Sequence, residues 1–532
     1  CPEMTSPSRP LLLTGFMGTG KSTVGRLVAR AASVDFIDLD TEIERRAQRA
    51  VREIFAAEGE AGFRSREALT LRDLLEAARP RVIALGGGAL LKREQRLHAL
   101  EQAVVVCLRA DADELLRRLS GDTTRPLLDA PDPRGRILEL MDARDLSYAE
   151  AHATLETAGK EPEALATQVL AVWRRDPIAV AAGAESYTVE VTHGDLTERL
   201  ALRMASLTPT RVVCVSDTNV DAAHGSLRQE LLEQSGTKHT TVLLQPGEEH
   251  KAIDALSPIY QAALDLGADR KSLLLGLGGG VVTDITGFAA ATYMRGVRWL
   301  GAPSTLLAMV DASVGGKTAV DFGPAKNCVG AFWQPSGVVC DVHLLSTEPE
   351  RGYVSALSEV IKTALIGDAG LLDLVEQEQR GILGRDPQLL VEMLRRCVAV
   401  KAGVVSRDPR ERGERAHLNL GHTLGHAMEA FAGYGQLTHG EAISLGLVAA
   451  LRLGTRLGHT PSELTVRIEQ LLKQLGLPVD LEAHRLPEAS SLLGHDKKRA
   501  GDQVRFVFAR DVGNVFTEHV ALDALHSHAQ TL

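Results

Sequence analysis

The stretch RPLLLTGFMGTGKSTVGRLVAR, residues 9–30, decides the first part of the fold. An apolar run leads into a glycine-rich loop that ends in Lys21 and Ser22, and a helical pattern follows. A phosphate-binding loop needs this strand–loop–helix context, because backbone N–H groups and the helix N-terminus then converge on phosphate oxygens. We expect Lys21 to reach the outer phosphates and Ser22 to hold Mg²⁺. The predicted nucleotide-binding residues are Gly15, Gly18, Gly20, Lys21, Ser22 and Thr23.

The next apolar run, VDFIDLD, ends in two carboxylates, Asp38 and Asp40. Carboxylates at the end of a strand lie beside such a loop, where Asp38 can support Mg²⁺ and Asp40 can meet a substrate hydroxyl. The alternative is that Asp40 only caps the following helix, TEIERRAQ.

Further motifs follow in a fixed order: F-R ending at Arg64, the turn Gly86 to Gly88, RPLL beginning at Arg125, and Arg144. With them, the part from about Leu11 to Trp173 resembles shikimate kinase. The resemblance implies that Arg125, in a mobile lid, meets the transferring phosphoryl group. It assigns shikimate to Asp40, Arg64, Gly86, Gly87, Gly88 and Arg144.

A second glycine-rich stretch, SLLLGLGGGVVTDITGFAAA, has the order strand, turn and helix that a dinucleotide pyrophosphate needs. Val281 stands where the strict fingerprint G-x-G-x-x-G has its third glycine, so the motif alone leaves a structural turn as an equal alternative. An earlier strand ends in Asp217 and Asn219, which can bind a ribose or an adenine.

The stretch at residues 293–335 carries four polar side chains among glycines and apolar residues. Because of these neighbours, we expect the four side chains to be buried beside a phosphate. They are Arg295, Lys317, Lys326 and Asn327.

The stretch NLGHTLGHAMEAFAGYGQLTHGE, residues 419–441, predicts a metal site. His422 and His426 are four residues apart on a predicted helix, and His439 follows a turn. The alternative is an ordinary helix face with two polar residues.

Glu359 lies on the otherwise apolar helix SALSEVIKTALI, where a carboxylate is costly unless it binds a metal or pairs with Lys362. The H-E-x-x-H pattern is absent, which argues against a metalloprotease.

The part from about Tyr187 to the C-terminus resembles 3-dehydroquinate synthase, through GGGVVTDITGF, VDASVGGKT and LNLGHTLGH. The resemblance makes Glu359, His422 and His439 the zinc ligands, and His426 a substrate or proton-transfer residue. It assigns NAD to Asp217, Asn219, Glu248, Lys251, Gly279, Gly280, Val281, Asp284, Ser304, Thr305, Lys317 and Lys326. It assigns the substrate to Arg295, Asp311, Asn327, Glu411 and Asn419. It gives catalytic roles to Lys317, Lys362, Lys401, Arg415, His426 and a lysine of the pair Lys497–Lys498. Glu414 departs from the family pattern, and a carboxylate there can compete with phosphate for Arg415.

Together the two resemblances imply an α/β chain with two activities. One is ATP-dependent 3-phosphorylation of shikimate. The other is NAD- and zinc-dependent (or cobalt-dependent) conversion of 3-deoxy-D-arabino-heptulosonate 7-phosphate to 3-dehydroquinate and phosphate. The alternatives for the second activity are another sugar-phosphate cyclase, a zinc- and NAD-dependent polyol dehydrogenase, or a non-catalytic scaffold.

The predicted domains are a P-loop kinase at residues 1–175, with a parallel sheet and helices on both faces, a Rossmann-like NAD domain at 178–340, and a mainly helical metal-binding domain at 341–532. The first join is placed where a helical stretch ends before Asp176-Pro177.

Composition restricts the partners of the chain. A formal charge of -10 argues against a nucleic-acid surface, and no apolar run approaches the roughly 18 residues that span a bilayer. The six cysteines lack C-x-x-C spacing, and we expect buried thiols in a reducing compartment. We therefore expect a cytoplasmic enzyme, and from the second resemblance a homodimer formed through the synthase half.

Overall fold

The computed structural model describes residues 8–77, 79–119, 132–323, 325–433, 435–495, 499–500 and 503–532. The chain divides into two compact units, Cys1–Glu190 and Val191–Leu532. The division into three domains with joins near residues 175–178 and 340–341 stays a prediction. Within the described residues, no helix combines the length and the apolar character needed to cross a membrane.

Strands and helices alternate in the first unit. Its strands are β1 (Leu11–Gly15), β2 (Asp35–Asp38), β3 (Arg81–Ala84), β4 (Val104–Arg109), β5 (Ala153–Glu156) and β6 (Ile178–Val180). Its helices are α1 (Lys21–Ala32), α2 (Leu39–Ala47), α3 (Val51–Glu76), α4 (Arg93–Gln102), α5 (Ala112–Leu119), α6 (Pro133–Ala149) and α7 (Pro162–Arg175).

Five of these strands form a parallel sheet in the order β2-β3-β1-β4-β5. Successive residues of a strand point to opposite faces, so Leu12 packs with α3 and α4 while Leu11 and Leu13 pack with α1 and α7. Helices therefore cover both faces, as the sequence predicts for this part. The parallel arrangement also brings the carboxyl ends of β1, β2 and β3 to one edge of the sheet.

The second unit first alternates strands with helices and then becomes mainly helical, with three further strands near its C-terminal end. Its strands are β7 (Tyr187–Thr192, which spans the boundary), β8 (Val212–Asp217), β9 (His239–Leu244), β10 (Leu273–Gly278), β11 (Arg298–Pro303), β12 (Lys317–Phe322), β13 (Ala325–Phe332), β14 (Val338–Asp341), β15 (Arg499–Ala500), β16 (Gln503–Asp511) and β17 (Asn514–Ala521). Its helices are α8 (Leu196–Leu207), α9 (Thr218–Gln234), α10 (Leu256–Leu266), α11 (Gly280–Thr292), α12 (Glu350–Gly367), α13 (Ala369–Gln377), α14 (Gln379–Leu383), α15 (Pro387–Arg407), α16 (His422–Ala432), α17 (His439–Arg456), α18 (Ser462–Gln474), α19 (Leu486–Ala489) and α20 (Leu522–Ala529).

The main sheet of this unit has the order β14-β11-β10-β8-β9, and all of these neighbours are parallel. Near the boundary between the units, β6 and β7 form an antiparallel pair. A buried apolar core between this sheet and the helices α10 and α11 holds the glycine-rich turn after β10 in place. The α/β class and the mainly helical C-terminal region are confirmed.

Close helix packing shapes the C-terminal region. A Cβ on Gly440, at the start of α17, would lie 2.0 Å from the carbonyl oxygen of Ser355 on α12. A Cβ on Gly446 would lie 2.0 Å from the carbonyl oxygen of Gly421, just before α16. Only glycine permits these approaches. They bring together the three helices that carry Glu359, His422 and His439.

Candidate active sites

The glycine-rich loop of the first unit joins β1 to α1. Gly18 and Gly20 have φ of 80° and 89°, a region that favours glycine, and Gly20 is the N-cap of α1. Lys21 Nζ donates to the carbonyl oxygens of Gly15 and Phe16 at 2.9 and 2.8 Å, which folds the lysine over the loop. Thr23 lies in the first turn of α1 and is exposed.

Ser22 lies beside a carboxylate at the same edge of the sheet. Its Oγ donates to Asp38 Oδ2 at 2.8 Å, and Asp38 is the last residue of β2. A hydroxyl and a carboxylate next to a phosphate loop are ligands that Mg²⁺ accepts. Asp38 is also the N-cap of α2, so the capping role considered for Asp40 belongs to Asp38.

The triple-glycine turn after β3 is surrounded by the predicted acceptor-site residues. A Cβ on Gly86 would lie 3.4 Å from Asp40 Oδ1, one on Gly87 would lie 3.0 Å from Arg144 Nη1, and one on Gly88 would lie 2.5 Å from Arg64 Nη2. The absence of side chains therefore lets two guanidinium groups and a carboxylate approach the backbone. This arrangement suits a small hydroxy acid, because the arginines can bind a carboxylate and Asp40 can accept from a hydroxyl.

Two further residues of this site were not predicted. Glu67 is buried on α3 and accepts from Arg64 Nη1 at 2.6 Å, and Tyr148 Oη donates to the carbonyl oxygen of Gly87 at 2.9 Å. Burial raises the pKa of Glu67 and of Asp40, and the charge of Asp38 raises that of Asp40 further. Glu67 stands three residues after Arg64, a helical spacing that the sequence reveals.

In the second unit, two histidines lie close to the same carboxylate oxygen. Glu359 Oε1 lies 3.5 Å from His422 Nε2 and 3.3 Å from His439 Nε2. The side chain of Glu359 is 1% exposed, and its other oxygen pairs with Lys362 Nζ. Glu359 therefore lies beside both histidines and also makes the alternative salt bridge to Lys362, and its role as a metal ligand stays a prediction. His426 is exposed, and it can offer a nitrogen within 4.8 Å of ligand atoms of both other histidines.

The outer edges of the two imidazoles also have acceptors. His422 Nδ1 lies 3.2 Å from the carbonyl oxygen of Leu420, and His439 Nδ1 lies 3.7 Å from Glu429 Oε2. Metal-binding histidines usually donate their other ring N–H to a carbonyl or a carboxylate. A carboxylate and two imidazoles that turn their Nε2 atoms inward are a donor set that fits Zn²⁺ or Co²⁺.

The glycine-rich turn after β10 opens α11, as predicted for a pyrophosphate site. Gly279 is the N-cap of α11, and a Cβ on it would lie 3.3 Å from Thr305 Cγ2. Ser304 N donates to the carbonyl oxygen of Gly278 at 2.9 Å, so the loop after β11 lies against the turn. A side chain would fill this cradle, and the free helix N-terminus suits a phosphate. Val281 is half-buried in the first turn of α11.

The other residues assigned to NAD form two groups. Asp217, at the end of β8, caps α9 and accepts from the backbone N–H groups of Asn219 and Val220, both at 2.9 Å. Lys251 Nζ lies 2.7 Å from Asp284 Oδ2 and 3.8 Å from Glu248 Oε1. Burial raises the pKa of Asp284 to about 6, against the opposing effect of Lys251.

The residues assigned to the substrate form ion pairs near the metal-ligand group. Lys401 Nζ lies 2.6 Å from Asp311 Oδ1. Burial acts to raise the pKa of Asp311, but Lys401 and then Lys362 lower it below its usual range. Burial lowers the pKa of Lys401 despite the pairing with Asp311.

A second set lies around the start of β12. Lys317 pairs with Glu411, whose Oε1 accepts from Asn419 Nδ2 at 3.1 Å. Arg415 is buried and donates to the carbonyl oxygens of Pro409 and Gly315 at 2.7 and 2.9 Å. Glu414, which was expected to compete for Arg415, accepts from Arg407 Nε at 2.9 Å.

The hairpin of β12 and β13 connects the NAD group to the metal-ligand group. Asn327 Oδ1 accepts from Lys251 Nζ at 2.6 Å, and the preceding Lys326 donates to Glu429 Oε1 at 2.6 Å. Two neighbouring residues of one strand therefore contact both groups.

Three family models match the chain. The model of shikimate kinase matches residues 17–174, that of the 3-dehydroquinate synthase N-terminal domain matches residues 241–355, and that of its C-terminal domain matches residues 356–499. The 3-dehydroquinate synthase of Caulobacter vibrioides is 40% identical over 348 residues, which is 64% of this chain and 94% of the relative. The chain belongs to the 3-dehydroquinate synthase family.

A second relative has the same name, and a solved structure of another enzyme has a similar fold. The 3-dehydroquinate synthase of Acidithiobacillus ferrooxidans is 41% identical over 63% of this chain and 92% of the relative. The structure of 2-epi-5-epi-valiolone synthase from Streptomyces hygroscopicus subsp. jinggangensis 5008, with NAD⁺ and Zn²⁺ bound, has a TM-score of 0.59 at 26% identity, over 65% of this chain and 96% of that one. In this chain a shikimate kinase domain precedes the 3-dehydroquinate synthase part.

Several expectations for the dehydroquinate synthase part need correction. The side chain of Lys317 is 50% exposed and that of Lys326 is 38% exposed, while Asn327 and Arg295 are exposed, so the predicted burial is wrong. Lys317, Lys326 and Asn327 lie on the β12–β13 hairpin, a separate two-stranded sheet, and every residue of β13 is at least partly exposed. Cys328, the next residue of β13, is also exposed, unlike Cys107, Cys214, Cys340 and Cys397, which are buried as expected.

Some predicted residues remain apart from the site. Arg295 precedes β11 and Ser304 follows it, so Arg295 lies at the edge of the sheet opposite the glycine-rich turn. Its assignment to the substrate stays a prediction. Arg125, Lys497 and Lys498 lie outside the described residues.

Glu429 belongs to the dehydroquinate synthase site although no prediction included it. It is a carboxylate on the apolar helix α16, and its side chain is 15% exposed. The argument that singled out Glu359, that a carboxylate on an apolar helix needs a cation, applies equally to Glu429.

Proposed function

We propose that this chain is a bifunctional enzyme that phosphorylates shikimate with ATP and converts 3-deoxy-D-arabino-heptulosonate 7-phosphate to 3-dehydroquinate and phosphate. The observation that carries the second activity is the convergence of His422, His439 and Glu359 on one point. The relatives named 3-dehydroquinate synthase, at 40% identity, support the same substrate.

In the kinase domain, the loop residues are proposed to bind ATP and the glycine turn to bind shikimate. The backbone N–H groups at the start of α1 and Lys21 neutralise phosphate charge, and Ser22 with Asp38 would hold Mg²⁺. Arg64 and Arg144 bind the carboxylate of the acceptor, while Asp40 accepts from a hydroxyl. Phosphoryl transfer needs little more than this positioning and charge neutralisation.

In the synthase part, Glu359, His422 and His439 would hold a divalent ion, and the turn at Gly279–Gly280 with Lys251 and Asp284 would hold NAD. When bound, these two groups supply a reversible oxidation that makes the neighbouring C–H bond acidic and so permits loss of phosphate.

The chain itself supplies the charge and the proton acceptor for this reaction. Lys362 and Lys401 are buried beside Glu359 and Asp311, so they present positive charge to an anionic substrate within the site. Lys317, which is half exposed, can exchange its pairing with Glu411 for a phosphate. His426 is exposed next to the two histidines proposed as ligands, and it can accept a proton.

The test is to assay the purified full chain with each substrate separately, with and without a chelator. We expect phosphorylation of shikimate with ATP, and release of phosphate from the heptulosonate phosphate that stops when the divalent ion is removed. Net formation of NADH with a polyol would indicate the dehydrogenase alternative. Phosphate release from another sugar phosphate only would indicate a different cyclase.

The partners and location belong to the same proposal. We propose a cytoplasmic homodimer formed through the synthase part, with no nucleic-acid partner. The net charge of -10 supports the lack of a nucleic-acid partner, and the buried thiols of Cys107, Cys214, Cys340 and Cys397 support the cytoplasmic location. The homodimer rests on the resemblance, and sedimentation of the full chain tests it.

A further inference from the structure

The two carboxylate oxygens of Glu429 face two different parts of the synthase site. Oε1 accepts from Lys326 Nζ at 2.6 Å, and Oε2 lies 3.7 Å from His439 Nδ1. Glu429 stands on α16, seven residues after His422 and three after His426, so it shares a helix face with both.

His439 lies between two carboxylates. Its Nε2 lies 3.3 Å from Glu359 Oε1, and its Nδ1 faces Glu429 on the other side. A ring with an acceptor at each edge has one favoured orientation, and that orientation directs Nε2 to the proposed metal position. His422 obtains the same orientation from the carbonyl oxygen of Leu420, which belongs to the backbone. For His439 a side chain, that of Glu429, provides this contact.

Lys326 adds a link to the NAD group. It lies on the β12–β13 hairpin directly before Asn327, whose Oδ1 accepts from Lys251 at 2.6 Å. Lys251 in turn lies 2.7 Å from Asp284, beside the glycine-rich turn. Contacts therefore run from the turn through the hairpin to Glu429.

We propose that Glu429 is a positioning residue that fixes the imidazole of His439 through Nδ1 and, by pairing with Lys326, couples that orientation to the position of the β12–β13 hairpin. The inference rests on the proposed function, because it takes His439 as a metal ligand. Glu429 faces Nδ1 of His439, whereas Nε2 of the same ring faces Glu359.

We expect substitution of Glu429 to lower the metal affinity, and to change turnover only as a consequence of that loss. Removal of a carboxylate behind a ligating histidine typically lowers metal affinity about 10–100-fold. Glu429→Gln keeps the size of the side chain but loses the charge, so both of its contacts weaken together. Lys326→Met removes only the hairpin contact and leaves the carboxylate near His439, so it should lower the affinity less.

The experiment uses the full chain with Zn²⁺ and Co²⁺ as probes. The Zn²⁺ affinity of wild type, Glu429→Gln, Glu429→Asp, Lys326→Met and the double variant is measured by competition with a chromophoric chelator, and the visible absorption of the Co²⁺ form is recorded. Glu469→Gln is the matched control, because Glu469 makes an ion pair of 2.7 Å with Arg452 on α17, the helix that begins with His439. Circular dichroism and thermal melting of each full-length variant verify that the synthase part is folded.

We expect Glu429→Gln to lose about 10–100-fold in Zn²⁺ affinity and to change the Co²⁺ spectrum, while Glu469→Gln keeps both. Glu429→Asp, which keeps the charge with a shorter reach, should be intermediate. The effects of Glu429→Gln and Lys326→Met should be less than additive, because both act through the same carboxylate.

Unchanged Zn²⁺ affinity and an unchanged Co²⁺ spectrum in Glu429→Gln would overturn the positioning role, and additive effects would overturn the coupling to the hairpin. If Glu429→Gln does not fold, Glu429→Asp and Lys326→Met decide by the same two measurements. Failure of wild type to bind either ion would instead reject the proposed metal centre, and is thereby distinguished from failure of this inference.

Discussion

Glu348 accepts a hydrogen bond from the backbone N–H of Leu306, and the two atoms lie 2.9 Å apart. Leu306 follows Ser304 and Thr305, the loop that packs on the glycine-rich turn. Burial raises the pKa of Glu348 to about 7, although the bond to Leu306 and the charge of Arg385 oppose the rise. A buried carboxyl therefore supports the loop that is proposed to bind NAD.

This relationship predicts a pH dependence of stability. A raised pKa means that the folded protein keeps the proton of Glu348 between pH 4.5 and about 7, where the unfolded chain has lost it. Stability should therefore fall as the pH rises through that window, by roughly 1–3 kcal/mol from this group. We expect Glu348→Gln to remove this part of the dependence, so that its melting temperature relative to wild type is higher at pH 8 than at pH 5.

The matched control is Glu350→Gln, since Glu350 is exposed two residues further on. Thermal melting of each full-length variant between pH 5 and pH 8 measures the difference. An identical pH profile for Glu348→Gln and wild type would contradict the prediction.

Gly440 offers a test of how the metal-ligand group is assembled. Because its Cβ would lie 2.0 Å from the carbonyl oxygen of Ser355, Gly440→Ala must push α17 away from α12. We expect a loss of at least about 1–3 kcal/mol in stability and weaker metal binding, since His439 precedes this glycine and Glu359 lies on α12. Melting and Zn²⁺ titration measure the two effects.

Gly352→Ala is the control, because its Cβ on the same helix α12 would meet the nearest atom at 3.5 Å, an ordinary contact. It should leave stability within about 0.5 kcal/mol of wild type. Equal behaviour of the two alanine variants would show that the helices tolerate separation.

How far the sequence predicts these sites depends on how local each feature is. The loop from Gly15 to Ser22 and the turn at Gly279 are continuous stretches whose backbone does the binding, so their patterns reveal them. The pair His422 and His426 is likewise set by helical spacing. Three of the missed residues, Glu67, Glu348 and Glu429, are acidic side chains that support another residue.

Glu67 is only three residues from Arg64 on one helix, but Glu348 and Glu429 depend on partners that only the fold brings near. Glu348 contacts a backbone N–H group at Leu306, and Glu429 contacts Lys326, and neither partner is marked by spacing along the chain. The exposure of Lys326 and Asn327 was missed for a related reason. Their neighbours in sequence are apolar and small, but the two-stranded hairpin that they form has a solvent-facing side.

Glu67 allows the acceptor site of the kinase to be tested separately. It accepts from Arg64 Nη1 at 2.6 Å and is buried, so Glu67→Gln should loosen Arg64 and leave the P-loop as it is. We expect the KM for shikimate to rise about 10-fold or more with a smaller change in the KM for ATP, because a buried charged contact is typically worth 1.5–3 kcal/mol. Steady-state kinetics with each substrate varied in turn measures this.

Glu60→Gln is the matched control for Glu67→Gln. Glu60 lies 3.6 Å from the same arginine, but its side chain is 72% exposed, so its removal should change the KM for shikimate by less than about threefold. A similar rise in both variants would mean that burial of Glu67 has no special effect on Arg64.

The two activities should be separable by single substitutions in one chain. Lys21 Nζ folds over the P-loop, and His422 Nε2 faces Glu359, so each residue belongs to one site only. Lys21→Ala should lower shikimate phosphorylation at least about 100-fold while phosphate release from the heptulosonate phosphate continues.

His422→Ala should abolish zinc binding and phosphate release from the heptulosonate phosphate while phosphorylation continues, because a two-ligand site holds zinc poorly. Both rates and the zinc content are measured on each purified variant, with circular dichroism to verify folding. Full zinc occupancy in His422→Ala would reject the ligand assignment, and a joint loss of both activities in a folded variant would reject independent sites.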